Sequence, residues 1–244
     1  MTAHPTLNDF FQRLDEWRHF PAFPLEARSE VFFALFLPTV LEAHFKKDGV
    51  KIKPQVIPQF PLRQNRLDPR TKKRTNHSNN VDFLALSEGC ESAFLIELKT
   101  DMGSIDKKQI CYLQRAKRRG MRKVLEDLKS VVQASKEKRK YYHLLSALSE
   151  LGLMSLPGNL KSNIYPEKSG SLKSSIDKIS VLGSPRLEVV FVQPRPCKEK
   201  KVEGFKYIYF DEFADCVNKQ GKLGRQFACY LRKWIKDPAE QPPQ

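Results

Sequence analysis

Asp82, Glu97 and Lys99 are the residues of this 244-residue chain whose types and spacing could carry chemistry. Asp82 opens the apolar run Val81-Asp82-Phe83-Leu84-Ala85-Leu86, and Glu97 and Lys99 close the run Ala93-Phe94-Leu95-Ile96-Glu97-Leu98-Lys99. The connection Ser87-Glu88-Gly89-Cys90-Glu91-Ser92 predicts a hairpin. With Gly89-Cys90 as a two-residue turn, Glu88 faces Glu91 and Asp82 falls opposite Glu97. Opposed residues share a face with Cβ atoms about 5 Å apart. Lys99, two residues beyond Glu97, returns to that same face. Two half-buried carboxylates so close repel each other unless a positive charge sits between them. A divalent cation does that, and oxygen ligands suit Mg²⁺ or Mn²⁺. The competing reading is a surface salt-bridge cluster; the apolar flanks favour the metal site.

The elements that would position these residues follow from the pattern along the chain. Leu7–Trp17 predicts a short leading helix, with Pro21 and Pro24 marking a turn. Glu26–Phe45 reads as a mostly buried helix in which Pro38 predicts a kink or early stop. Val50–Ile57 predicts a strand, with Pro54 and Pro58 consigning its far end to a sheet edge, and Gln59–Asn80 reads as a loop. After the hairpin, Ile105–Ser135 predicts helix broken or kinked at Gly120, and Lys138–Leu151 a further helix. Residues 152–185, rich in Gly, Ser, Pro and Lys, read as a long, partly mobile excursion. Strands at Leu187–Val192 and Phe205–Phe210 and a helix over Leu223–Ile235 complete the chain. The expected organisation is an N-terminal helical extension (1–25), one α/β domain (26–236) and a short tail (237–244).

Across roughly residues 26–118, the hairpin with Val81-Asp82 and Glu97-Leu98-Lys99 resembles the active-site hairpin of the PD-(D/E)xK nuclease superfamily. Val81 stands where the family's motif name has proline. The resemblance implies an αβββαβ restriction-endonuclease-like core with a mixed central sheet flanked by helices. It implies that Asp82 and Glu97 bind Mg²⁺ together with the backbone carbonyl of Leu98, and that Lys99 orients the attacking water. Many members also place a first-helix glutamate near the metal; Glu30 is the best match and Glu26 the second. Gln109 resembles a helix glutamine of one branch, with Tyr112 three residues on where that branch spaces its tyrosine by four.

Charge fits a polyanionic partner. The chain carries 43 Lys and Arg against 28 Asp and Glu, a net charge of +15. The excess peaks in residues 101–150, with 13 basic and 6 acidic side chains. Basic surfaces draw nucleic acid through counterion release. Lys108, Arg115, Arg119 and Arg122 would form one stripe on an unbroken helix. Arg70, Lys72, Lys73 and Arg74 lie in the loop before the hairpin, where they could meet backbone phosphates.

Other classes lack support. The longest apolar stretch, Val31–Leu41, is well short of the roughly 20 residues that span a bilayer, so no membrane partner is expected. No basic-then-apolar leader opens the chain, and the five cysteines include no C-x-x-C pair, so reduced thiols in a cytoplasmic protein are expected. Nucleotide-binding glycine motifs are absent, and the five histidines show no metal spacing. The expectation is a Mg²⁺-dependent phosphodiesterase acting on nucleic acid, DNA favoured over RNA. Two alternatives stay open: a catalytically silent nuclease-fold module that binds nucleic acid, and a basic interaction protein. The oligomeric state is also open, a homodimer included.

Overall fold

A computed structural model of the chain describes residues 6–20, 24–64, 77–101, 105–136, 138–158, 160, 169–197 and 201–236. Its helices are α1 (Leu7–Trp17), α2 (Leu25–His44), α3 (Lys107–Ala134), α4 (Tyr142–Glu150), α5 (Ser169–Asp177), α6 (Phe210–Val217) and α7 (Gly221–Lys236). Its strands are β1 (Ile57–Arg63), β2 (Ser78–Leu86), β3 (Ser92–Leu98), β4 (Met154–Ser155), β5 (Ser180–Val181), β6 (Arg186–Gln193) and β7 (Lys206–Tyr209). Five strands are bonded in the order β1-β2-β3-β6-β7, with β1 and β2 antiparallel and β6 and β7 parallel. The fold is α/β, a mixed sheet flanked by helices. No helix among the described residues is long and apolar enough to cross a membrane.

The chain divides into two compact units. The first comprises Met1–Val56, Ile96–Lys107 and Val189–Gln244. Its helical core grows around Phe227 of α7, whose ring meets Phe11, Phe33 and Phe213 at centroid distances of 5.9, 5.0 and 6.1 Å. A capping box starts α1: the Asp9 N–H donates to Thr6 Oγ1 and the Thr6 N–H to Asp9 Oδ2. Phe11 and Leu14 bury the apolar face of α1 in this core. In α2, Leu25, Phe33, Leu37, Val40 and Leu41 are buried. Pro38 does not end α2, which runs 20 residues through it, so burial of its apolar stripe outweighs the lost backbone bond.

The second unit comprises Ile57–Leu95 and Lys108–Glu188. Here the expected strand at Val50–Ile57 and loop at Gln59–Asn80 give way to β1 over Ile57–Arg63, paired with β2 from Ile57↔Leu84 to Arg63↔Ser78. Pro58 and Pro61 are tolerated because β1 is the edge of the sheet. Gly120 interrupts α3 with φ 76° and ψ 163°, so two helical pieces meet there as the sequence predicts. The expected excursion is partly ordered structure: β4 pairs with β5, and Met154, Leu156, Leu160, Ile176 and Ile179 are buried. Lys129 Nζ donates to the carbonyls of Asp177 (2.8 Å), the last residue of α5, and Ile179 (2.7 Å), two residues beyond it.

Candidate active site

Glu97 lies at the end of β3 and Lys99 one residue beyond it. Period-2 alternation gives both side chains one face, and Lys99 Nζ sits 2.9 Å from Glu97 Oε1. Both side chains are only 2% exposed. Glu26, in the first turn of α2, brings Oε2 and Oε1 to 3.4 and 3.5 Å from the same ammonium. A desolvated ammonium is costly unless held by opposite charge, and here two carboxylates hold it. Both carboxylates offer oxygens of the kind a further cation could share.

Glu26, the second match by sequence, makes the Lys99 contact; Glu30 lies one turn later on the same helix face, half-buried. Spacing alone could not choose between positions four apart.

Asp82 lies on β2 in the second unit and is 8% exposed. The β1 register runs Pro58↔Phe83 and Phe60↔Val81, leaving Gln59 at the position across from Asp82. Gln59 has a left-handed backbone, φ 49°, a conformation a non-glycine residue adopts at a cost of about 1–2 kcal/mol. The edge strand is therefore distorted beside this carboxylate.

The hairpin turn is longer than expected. Ser87 N–H donates to Ser92 O (2.9 Å), Ser92 N–H to Ser87 Oγ (3.0 Å) and Cys90 N–H to Ser87 O (3.0 Å). Glu88 to Glu91 thus form a four-residue connection, and Cys90, with φ 60°, takes the left-handed position expected of Gly89. Both arrangements pair Ser87 with Ser92. At Gly89 an added Cβ would stand 1.9 Å from Glu91 Oε1, the end of a flexible, exposed side chain that can move aside.

Two backbone bonds define how β6 lies beside β3. Lys99 N–H donates to Val192 O (2.8 Å) and Arg186 N–H to Glu91 O (2.7 Å). Both fit one parallel register, in which Lys99 lies opposite Gln193 and Glu97 opposite Phe191. Gln193 is 1% exposed. No local pattern in the sequence singles it out, since its placement comes from a strand pairing between distant segments.

The basic candidates are dispersed. Lys108, Arg115 and Arg122 are exposed and Gln109 is half-buried. Arg119 is engaged by Asp127 at 2.6 Å, a carboxylate that Arg63 also approaches at 4.0 Å. The break at Gly120 removes Arg122 from the expected stripe, because helical spacing does not carry across a non-helical residue. Arg70, Lys72, Lys73 and Arg74 lie outside the described residues. Leu98 is fully buried between the two site residues.

The donor chemistry near Lys99 is carboxylate oxygen, which fits a hard dication. Among the described residues no group of three or more His, Cys, Asp or Glu converges as a metal cluster. No protein-family model, no curated protein and no solved structure matches the chain.

Proposed function

We propose that the chain is a metal-dependent nuclease of the PD-(D/E)xK kind, hydrolysing phosphodiester bonds, most readily in DNA, on a restriction-endonuclease-like αβββαβ core. The observation that carries this reading is the buried ammonium of Lys99, held 2.9 Å from Glu97 two residues before it and reached by Glu26 from α2. A purely structural ion pair gains little from burying a lysine between carboxylates. A phosphodiesterase gains from it, because a compact ammonium can donate to water and to the charge that builds on phosphate.

In this reading Glu97 gives Oε1 to Lys99 and keeps its second carboxylate oxygen for Mg²⁺ or Mn²⁺. Asp82 joins through the hairpin register of the sequence, the Leu98 carbonyl is a further ligand, and Glu26 or Glu30 supports the group from α2. When bound, the cation lowers the pKa of water and neutralises phosphate charge. Lys99 orients the water, which gives up a proton to solvent as its oxygen bonds to phosphorus; the bond from phosphorus to the leaving sugar oxygen breaks, and the leaving oxygen takes up a proton from solvent. Lys108, Arg115 and Arg122 contact backbone phosphates, which positions the strand without reading its sequence.

Incubation with circular and linear, single- and double-stranded DNA, with and without Mg²⁺, tests the reading. Cleavage that requires Mg²⁺ and Lys99 supports it. Binding without cleavage by rigorously purified protein would mark a silent nucleic-acid-binding module instead.

A further inference from the structure

We propose that Gln193 positions the attacking water beside Lys99, an inference that rests on the nuclease reading. Gln193 ends β6, and the bond from Lys99 N–H to Val192 O fixes it opposite Lys99. Neighbouring strands are about 5 Å apart, and opposed residues of a parallel pair share a face. The side chains of Lys99, Glu97 and Gln193 are therefore neighbours on one face.

The orientation of the Gln193 amide is forced. Its Nε2 donates to the Arg195 carbonyl at 2.8 Å, a partner that can only accept, so the other end of the amide must be oxygen. That Oε1 is buried and has no donor among the described residues, in a residue only 1% exposed. A buried carbonyl oxygen needs a donor, and leaving it without one costs free energy. Pro194, next in the chain, restricts the backbone and with the Arg195 contact holds the amide in place.

A water at this position satisfies both neighbours. The Lys99 ammonium donates to the water oxygen, and Gln193 Oε1 accepts one of the water's O–H bonds. The oxygen then presents its remaining lone pair in a fixed direction. Proximity and orientation of this kind lower a barrier without changing how tightly substrate binds. Gln193 is thus a positioning residue for the nucleophile.

Single-turnover cleavage of a labelled duplex at saturating Mg²⁺, with DNA affinity measured separately, tests the inference on three variants. Gln193→Met, similar in size but without the oxygen, is expected to slow cleavage by about tenfold to a hundredfold while leaving the DNA Kd unchanged. Gln193→Glu keeps an oxygen acceptor and is expected to recover part of the rate. That rate should rise with pH as its carboxyl ionises, a dependence the amide cannot give. Wild-type rates in Gln193→Met would overturn the proposal, as would a Gln193→Glu pH profile identical to that of the wild type. The Glu comparison decides the matter if the Met variant does not fold. Lys99→Ala separates the two levels: if it abolishes cleavage while Gln193→Met does not, this inference fails and the nuclease reading stands. If the wild type shows no Lys99-dependent cleavage, both fail.

Discussion

Lys99 and Lys233 both pair with carboxylates in the first unit, yet one is buried and the other reaches into solvent. The Lys233 side chain is 63% exposed and donates to Asp15, whose side chain is 8% exposed. Asp15 also accepts from Trp234 Nε1 at 3.1 Å and lies 3.4 Å from Arg18 Nε. This clamp fastens α1 to α7, and cations outnumber the one acid. Around Lys99 the balance is inverted: the cation is 2% exposed and two acids face it. Burying a carboxylate under several donors is a structural solution to a desolvated charge. Two carboxylates around a buried ammonium gather oxygen donors that a further cation could share. The comparison separates a clamp from a candidate reaction centre within one unit.

The largest effect should come from charge removal at each cluster. Glu97→Gln is expected to reduce Mg²⁺-dependent cleavage to background, whereas Asp15→Asn should leave cleavage unchanged and lower stability by about 1–3 kcal/mol. Parallel cleavage assays and urea titrations read both. Equal loss of cleavage in the two variants would erase the distinction.

Removing each lysine sharpens it further. Lys99→Met breaks the buried Lys99–Glu97 ion pair and is expected to cost about 3–5 kcal/mol in metal-free protein. Mg²⁺ should restore part of that loss, because a cation bound by the folded state stabilises it. Lys233→Met should cost no more than about 1 kcal/mol, as exposed pairs do, and Mg²⁺ should not affect it. Thermal unfolding with and without Mg²⁺ distinguishes the two.

The smallest effect is one of pH. The hydrogen bond to Asp15 holds the Lys233 ammonium above the ordinary lysine range. A raised folded pKa means that this stabilisation is complete below the ordinary value, about 10.4, and fades as pH rises through the folded value. The melting-temperature difference between wild type and Lys233→Met should therefore shrink in strongly alkaline buffer and stay flat from neutral pH downward to the onset of carboxylate titration.

Local periodicity carried much of the fold. The bounds of α1 coincide with the expected Leu7–Trp17, and the hairpin strands and the Gly120 break emerge where apolar alternation and glycine place them. Proline misled at β1, because the rule that exiles it from strands relaxes at an edge, and edge position is a property of the whole sheet. In 152–185, sparse apolar anchors such as Met154 and Ile176 were hidden among turn-forming residues. The helix α6 was missed because Phe205–Phe210 reads as strand up to the residue where α6 begins. At the site, Glu97 and Lys99 were legible as a period-2 pair. Glu26 was not separable from Glu30 one turn away, and Gln193 depended on a parallel pairing that no short window contains.

The central claim is that the buried Lys99 ammonium acts in phosphodiester hydrolysis. Single-turnover cleavage of duplex DNA by wild type and Lys99→Ala at saturating Mg²⁺, with Mg²⁺ affinity followed by calorimetry, tests it most directly. Wild-type cleavage should disappear without Mg²⁺, and the Lys99→Ala rate should be at least about a hundredfold lower with Mg²⁺ affinity retained. Normal cleavage by Lys99→Ala, accompanied by loss of stability, would contradict it and make Lys99 a structural ion-pair partner.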